Sequence, residues 1–512
     1  MMENSTLTWT RPVRVEVITM LLFYPNSMGA LPLTGPAYDT ALDDIKKTYS
    51  ATLTVTNNLL TDPRYATCNE WSTDTDRAIA EYYFRHETRW NSADILVFAG
   101  SHSDCNAKSL VYFATQLRRL VLSSIFAFAS SSDKTKWPTW ISVSSDSLDI
   151  LAQTHLSLLV TYNWTSLSII CDTSSPSTYC FLAGNLYSRL TLRTNFRVTL
   201  SEVNVTAGGY MDFLHKTTTH SRVILYSGHS TPFRSFMLAA RSLNLTNGEY
   251  VFVTFWPFRS PTSGNFTWQF FDEFDEEARQ AYRVILALGM DNGQFQDPKS
   301  KGYDVGQRCR RTAKDRYNYS YAKDDAMARA ANAYTSFMIL AEVLHEVVLT
   351  NQTELLSDGP GLAKKFFNRT FQTEIGDMRM SSSGELQIPY IVSAFDREGT
   401  YQSVMVRNPV TGRLEILTEP QWPNSVWPPA NRPRCGYDGR NRICGVEGSS
   451  RTVVGIACTV SILAVCTFLL VFRTLRQRSL QKAGSNWWQL DDVDLYDNDR
   501  GVSLSQTRLV LE

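Results

Sequence analysis

One uninterrupted apolar run, Thr452 to Phe472, is long enough to cross a bilayer. Its twenty-one residues carry no charge. At about 1.5 Å rise per residue, a helix of this length spans roughly 30 Å, the thickness of a hydrocarbon core. The buried helix of a soluble protein seldom needs so long a run. The run leaves about 450 residues on one side and forty on the other, the layout of a large folded region held at a membrane by one helix. Arg473, Arg476, Arg478 and Lys482 follow it closely and place the tail, residues 473–512, in the cytoplasm, although Arg440, Arg442 and Arg451 flank the other end.

Glycosylation signals agree with that orientation. Eight Asn-x-Ser/Thr sequons, at Asn4, Asn163, Asn204, Asn244, Asn265, Asn318, Asn351 and Asn368, all precede the span. Seven cysteines also precede it, while Cys458 and Cys466 lie inside it. No CxxC or Cys/His array suggests zinc. In an oxidising compartment Cys435 can close a short loop with Cys444, Cys171 with Cys180, and Cys68 can meet Cys105, leaving Cys309 over. The alternative is that all seven are reduced and buried. At the N-terminus, Arg11, Arg14 and Val15–Tyr24 mimic a signal peptide with a poor cleavage site at Met28-Gly29-Ala30. Glu16 interrupts the stretch, which reads equally as a first strand, so a true start upstream is expected.

The formal net charge is zero, and no basic face points to nucleic acid. About 450 residues exceed one core and predict two lobes. Strands are predicted at Val13–Leu22, Thr52–Leu60, Ile95–Ala99, Ile125–Phe128, Ser166–Cys171, Arg222–Tyr226 and Tyr250–Phe255. Between them fall helices at Ala37–Lys47, Thr73–His86, Ala107–Val121, Leu148–Thr161, Leu182–Leu190 and Phe233–Leu243, followed by Asp275–Leu288 and Asp325–Leu349. This alternation predicts an α/β fold with parallel sheets covered on both faces. Strands Leu386–Ala394 and Gln402–Val406 then lead to an extended stalk, residues 421–451, marked by Trp422-Pro423 and Trp427-Pro428-Pro429.

In such folds ligands bind beyond the carboxyl ends of the strands. Those loops supply the cleft candidates Asn26, Ser27, Ser101, Ser130, Ser131, Asp172, Ser227, His229 and Trp256. No catalytic constellation appears: there is no GxSxG, HExxH, GxGxxG or Walker lysine. The acidic cluster Asp272, Glu273, Asp275, Glu276 and Glu277 reads as the solvated, dipole-favoured start of a helix. His215 and His220 are poorly spaced for one helical face. Neither an enzyme nor a metal site is expected. Gly455 and Thr459 are small residues through which two membrane helices can approach.

Four stretches carry a resemblance to a known family. They are Lys136-Trp137-Pro138-Thr139-Trp140 with Tyr162-Asn163-Trp164-Thr165-Ser166; Phe236-Met237-Leu238-Ala239-Ala240 with Leu245 to Phe252; Asp275 to Leu288 with Ala278, Ala281 and Tyr282; and Trp427-Pro428-Pro429 with Cys435-Gly436-Tyr437-Asp438-Gly439 and Cys444. Together they resemble the extracellular ligand-binding region of receptor guanylate cyclases and natriuretic peptide receptors. The resemblance runs from about Val13 to Leu490. It implies a two-lobed, periplasmic-binding-protein-like ectodomain over 13–420, with a first lobe of 13–144 plus 280–345 and a second of 145–279 plus 346–420. A transmembrane helix, 452–472, and a short tail follow.

The resemblance also implies a first-lobe disulfide, Cys68–Cys105, and a juxtamembrane one, Cys435–Cys444. Natriuretic receptors hold a chloride beside the first-lobe cysteine. Here Asp104 sets a carboxylate next to that position, which Coulomb repulsion disfavours, so no cofactor is expected. Asn332-Ala333 stands where the family usually has Asp-Ala. Trp487-Trp488-Gln489-Leu490 resembles the junction into the family's kinase-like domain, which the remaining residues to Glu512 are too few to form. The implied function is a single-pass cell-surface receptor for a peptide hormone or a small molecule, acting as a homodimer or with a related receptor. Alternatives are a clearance or decoy receptor, or a structural membrane glycoprotein.

Overall fold

The computed structural model describes residues 11–483 except 26–28, 68–69, 72, 101–106, 125–132, 145–147, 258–262, 291–294, 296, 323–326, 434–435 and 438–448. Residues 1–439 form one compact unit and 440–512 another.

The first sheet is parallel and follows the predicted alternation. It contains β1 (Val13–Met20), β2 (Leu53–Leu60), β3 (Ile95–Gly100), β4 (Val121–Ser123) and β5 (Trp140–Ser142), in the order β2-β1-β3-β4-β5. Side chains alternate between its faces as a strand requires. Val13, Val15 and Val17, with Ile95, Val97 and Ala99, meet the helices Leu31–Tyr49 and Met327–Leu349 on one face. Ile18, Met20, Leu96 and Phe98 turn to the other, under the helices Thr75–Arg85 and Ala107–Gln116. Around β3 and β4 both faces are therefore dry and the strands read as nearly continuous apolar runs, whereas the edge strand β2 is partly polar and partly exposed.

The second sheet collects β6 (Ser166–Asp172), β7 (Arg197–Val203), β8 (Val223–Ser227), β9 (Val251–Phe255) and β10 (Ile285–Met290) in parallel. A small sheet of β11 (Thr370–Thr373), β12 (Gly376–Met380) and β13 (Leu386–Gln387) stands apart. The antiparallel strands β14 (Tyr390–Phe395), β15 (Tyr401–Arg407) and β16 (Leu414–Ile416) complete the second sheet, whose order is β16-β15-β14-β10-β9-β8-β6-β7. Helices Leu148–Thr161, Ser177–Thr191, Tyr210–Thr218 and Ser230–Ser242 accompany it.

Several expectations are corrected. Asp275–Leu288 is not one helix: it is the helix Asp275–Tyr282 followed by β10. Val284 to Leu288 is an apolar run buried on both sides, which periodicity cannot assign to helix or strand. Residues 285–290, expected in the first lobe, thus pair with β9 and β14 in the second sheet. Conversely, Glu385, the residue before β13 and expected in the second lobe, forms an isolated bridge with Ser142 of the first sheet. The predicted helix Ala107–Val121 ends at Gln116, and Val121 opens β4. Leu386–Ala394 is interrupted before Tyr390, at Pro389, which lacks the N–H a strand interior needs. The predicted strand Ile125–Phe128 lies outside the described residues. Sequence reasoning missed β5, β7 and the helices Tyr210–Thr218 and Tyr303–Tyr317.

The expected extended stalk is, over its first part, strapped to the second lobe. Trp422 is buried and donates Nε1–H to the Gly248 carbonyl at 2.8 Å. Trp427 packs edge-on to Tyr162 and Trp164, and Trp164 Nε1–H reaches the Pro429 carbonyl at 2.9 Å. Asn431 accepts from the backbone N–H groups of Thr165 and Ser166, at 2.8 and 3.0 Å.

In the other unit, one helix runs from Ser449 to Ala483 and contains the whole apolar run. Among the described residues, its segment long and apolar enough to cross a membrane is Thr459–Gln481. Val460, Leu463, Phe468, Leu470 and Phe472 are all exposed around it, which suits lipid on every side.

Candidate functional site

The carboxyl ends of β6, β8 and β9 form one lip of the expected cleft. Asp172, the last residue of β6, is fully buried. Its carboxylate accepts from Ser174 N–H and Oγ (3.0 and 2.5 Å), Ser175 Oγ (2.6 Å), Val205 N–H (3.2 Å) and Tyr226 Oη (2.9 Å). Such a set of donors satisfies a buried anion. Burial, then the Asp172 charge, pushes the Tyr226 phenol well above its usual range. Ser175 Oγ in turn accepts the His229 N–H at 2.8 Å, which couples the β6 and β8 loops. Gly228 lies between them, and a Cβ there would come within 2.7 Å of Asp172 Cβ.

His229 caps the helix Ser230–Ser242: its Nδ1 accepts from Thr231 N–H at 3.2 Å. Ser227 Oγ donates to the Tyr179 carbonyl at 2.7 Å. Burial pushes the Tyr179 phenol up to about 12. The Cys171–Cys180 disulfide ties the end of β6 to the helix Ser177–Thr191. Trp256, after β9, donates Nε1–H to the Gly264 carbonyl at 3.3 Å and stacks on Phe266. Gly264 holds φ +72°, where a side chain would be strained.

The structure therefore brings Asp172, Ser227 and His229 together, with Trp256 at the neighbouring strand end. Asp172 and Ser227 serve the scaffold. Thr173, Ser174 and Pro176 are exposed on this lip. The other cleft candidates, Asn26, Ser27, Ser101, Ser130 and Ser131, and Cys68, Cys105, Cys435, Cys444 and Asn4, lie outside the described residues. Cys309 is a free, buried cysteine whose thiol burial pushes up to about 12. Among the described residues no group of three His, Cys, Asp or Glu is placed to hold a metal.

A second surface holds none of the expected site residues. A groove of about 500 Å³ on the first lobe is lined by Asp76, Ile79, Ser109, Tyr112, Phe113 and Gln116. It lies between the helices Thr75–Arg85 and Ala107–Gln116. Tyr112 is 56% exposed beside it, edge-on to Trp137, and Phe84 is 61% exposed on the first of these helices. Aromatic residues on the outer side of an amphipathic pair were the available signal.

The seven described sequon asparagines, Asn163, Asn204, Asn244, Asn265, Asn318, Asn351 and Asn368, are all exposed. Asn163, Asn244, Asn318, Asn351 and Asn368 hold positive φ, and the first four sit within two residues of a helix end, where a left-handed residue closes the last turn. None of the seven lies on the two helices that flank the groove.

Comparison with known proteins gives one family match: residues 33–398 fit the receptor family ligand binding region. Human atrial natriuretic peptide receptor 3 is 24% identical over 290 residues, covering 54% of this chain and 51% of the relative. Bovine atrial natriuretic peptide receptor 2 is 22% identical over 325 residues, covering 59% of this chain and 30% of the relative. The chain thus spans about half of the first relative and under a third of the second.

Proposed function

This chain belongs to the receptor family that shares the ligand binding region, and on that footing we propose that it is a single-pass cell-surface receptor taking a peptide ligand between two copies of its outer region. Membership makes the large region a ligand-binding module of a receptor. The peptide follows the names of the relatives, and the surface location follows the apolar helix and the sequons. One observation carries the two-copy reading. The face of the helices Thr75–Arg85 and Ala107–Gln116 presents Phe84, Tyr112 and an open groove, yet carries no sequon. Exposed aromatics free of glycan fit a protein contact. The cleft lip of the second lobe is held by internal hydrogen bonds, which suits a scaffold more than a mobile jaw.

The test uses the full chain expressed in cells. N-glycosidase digestion should lower its mass by several glycans. Surface cross-linking should trap a dimer that Phe84→Glu with Tyr112→Glu abolishes, and radiolabelled atrial natriuretic peptide should bind the wild type more tightly than this variant. A chain that carries glycans but cross-links identically with and without the two substitutions refutes the two-copy reading. A chain with no glycans refutes the cell-surface reading.

A further inference from the structure

Phe270, Phe271 and Phe274 crowd one short loop ahead of the helix Asp275–Tyr282, and they are 41%, 86% and 46% exposed. Phe271 holds φ +61°, a left-handed conformation that a bulky residue adopts only at a cost. The loop is rigidly held. Phe270 and Phe271 N–H groups donate to Asp275 at 2.8 and 2.9 Å, and Phe274 N–H donates to Asp272 at 3.0 Å. Arg234, itself buried, donates to both carboxylates and to the Trp268 carbonyl. Its guanidinium also lies over the Phe270 ring, 4.5 Å from the centroid.

Arg234 pairs with both Asp272 and Asp275, one positive charge against two negative, and Arg279 pairs with Glu276. Glu273 and Glu277 remain exposed, with no ion pair among the described residues. Two exposed rings, Phe271 and Phe274, thus stand among unpaired carboxylates. A helix start explains the acidic residues; it does not explain the phenyl rings held outward beside them. An anionic membrane surface is excluded by charge, and a neutral apolar partner would bury Glu273 and Glu277 unpaired, which is costly.

We propose that this acidic, aromatic knuckle docks a cationic polypeptide segment, whose Arg or Lys side chains stack on Phe271 and Phe274 and pair with Glu273 and Glu277. Arg234 over Phe270 shows the same guanidinium-on-phenyl geometry within this loop. The surface belongs to the second lobe, away from the groove between the first-lobe helices, and does not depend on the two-copy reading.

The test measures fluorescence anisotropy of labelled (Arg-Phe)₄ and (Glu-Phe)₄ peptides against the full chain in phosphatidylcholine nanodiscs, with empty nanodiscs as blank. (Arg-Phe)₄ should bind, more weakly as salt rises, and (Glu-Phe)₄ should not. Glu273→Gln with Glu277→Gln, and separately Phe271→Ala with Phe274→Ala, should each weaken binding about tenfold. Phe271→Gly removes the left-handed strain, so it should fold at least as well as the wild type and still bind more weakly. Leu192→Ser, an exposed position on another helix end, should change nothing. Binding that these knuckle variants leave unaltered, or that empty nanodiscs reproduce, overturns the proposal.

Discussion

Acidification should destabilise the second lobe through a single histidine. His155, in the helix Leu148–Thr161, is 1% exposed. Its Nδ1 lies 2.9 Å from the Leu151 carbonyl, and Nε2 is buried without a hydrogen-bond partner. Burial therefore pushes its pKa down from 6.5 to about 4, against a smaller opposing effect of the Leu151 carbonyl. The folded state binds the proton less readily than the unfolded chain. Stability is full above pH 6.5 and falls as the pH drops through the unfolded value toward the folded one. The loss from this group approaches ~3.4 kcal/mol once both states are protonated. At pH 5 it is already about 2 kcal/mol. A lobe-sized unit would then melt roughly 4–8 °C lower. Carboxylates titrate in the same range, so the informative quantity is a difference. His155→Leu has no proton to take up. Thermal unfolding of the full chain in nanodiscs, from pH 8 to pH 4.5, should show a shallower acid limb for His155→Leu than for wild type. Parallel limbs would refute the reasoning, because they would mean that the buried ring takes up no less charge in the folded state than in the unfolded chain.

The remaining predictions concern the two lobes and the strap. Asp172→Ala removes the acceptor of the buried Val205 N–H and the shorter of two acceptors of the Tyr226 hydroxyl, which keeps the His229 carbonyl at 3.4 Å, and should cost about 2–4 kcal/mol, read by urea unfolding. Asp44 is buried, which raises its pKa, but hydrogen bonds from Arg308, Lys47 and Tyr334 outweigh this and hold it below the usual carboxylate range. Its stabilisation is present above the unfolded carboxylate pKa and lost as the pH falls through the folded value, so Arg308→Ala should flatten that loss below pH ~4. Gly248 has φ +95°, and a Cβ there would meet the Pro423 carbonyl at 2.5 Å; Gly248→Ala should loosen the strap, cost about 1–3 kcal/mol and speed proteolysis near Trp422.

The strand–helix rhythm of the first lobe was legible because each strand is short, apolar and bounded by a helix of clear 3.6-residue period. β1 and β3 differ from their predicted bounds by two residues or fewer. β10 was not legible, since a strand buried on both faces has no alternation to show. The lip residues Asp172, Ser227 and His229 were found by the rule that ligands sit at strand carboxyl ends, which locates a loop without saying whether its side chains face outward. Asp172 turned inward because five donors converge on it, and those donors come from segments up to 54 positions away. The knuckle was read only as the start of a helix. That it also presents three phenyl rings depends on Arg234, 38 residues from Asp272.

The sequence alone determined what local pattern and covalent chemistry can express. It specified an apolar run of bilayer length, the sequons, the cysteine spacing and the alternation of strands and helices, all of which depend on near neighbours in the chain. The tertiary structure decided the rest. It moved β10 into the second sheet, laid the Trp and Pro residues of the stalk against that lobe, buried Asp172 and left Phe271 in solvent. Each of these outcomes depends on contacts between residues remote in sequence, whose free energies no local pattern records.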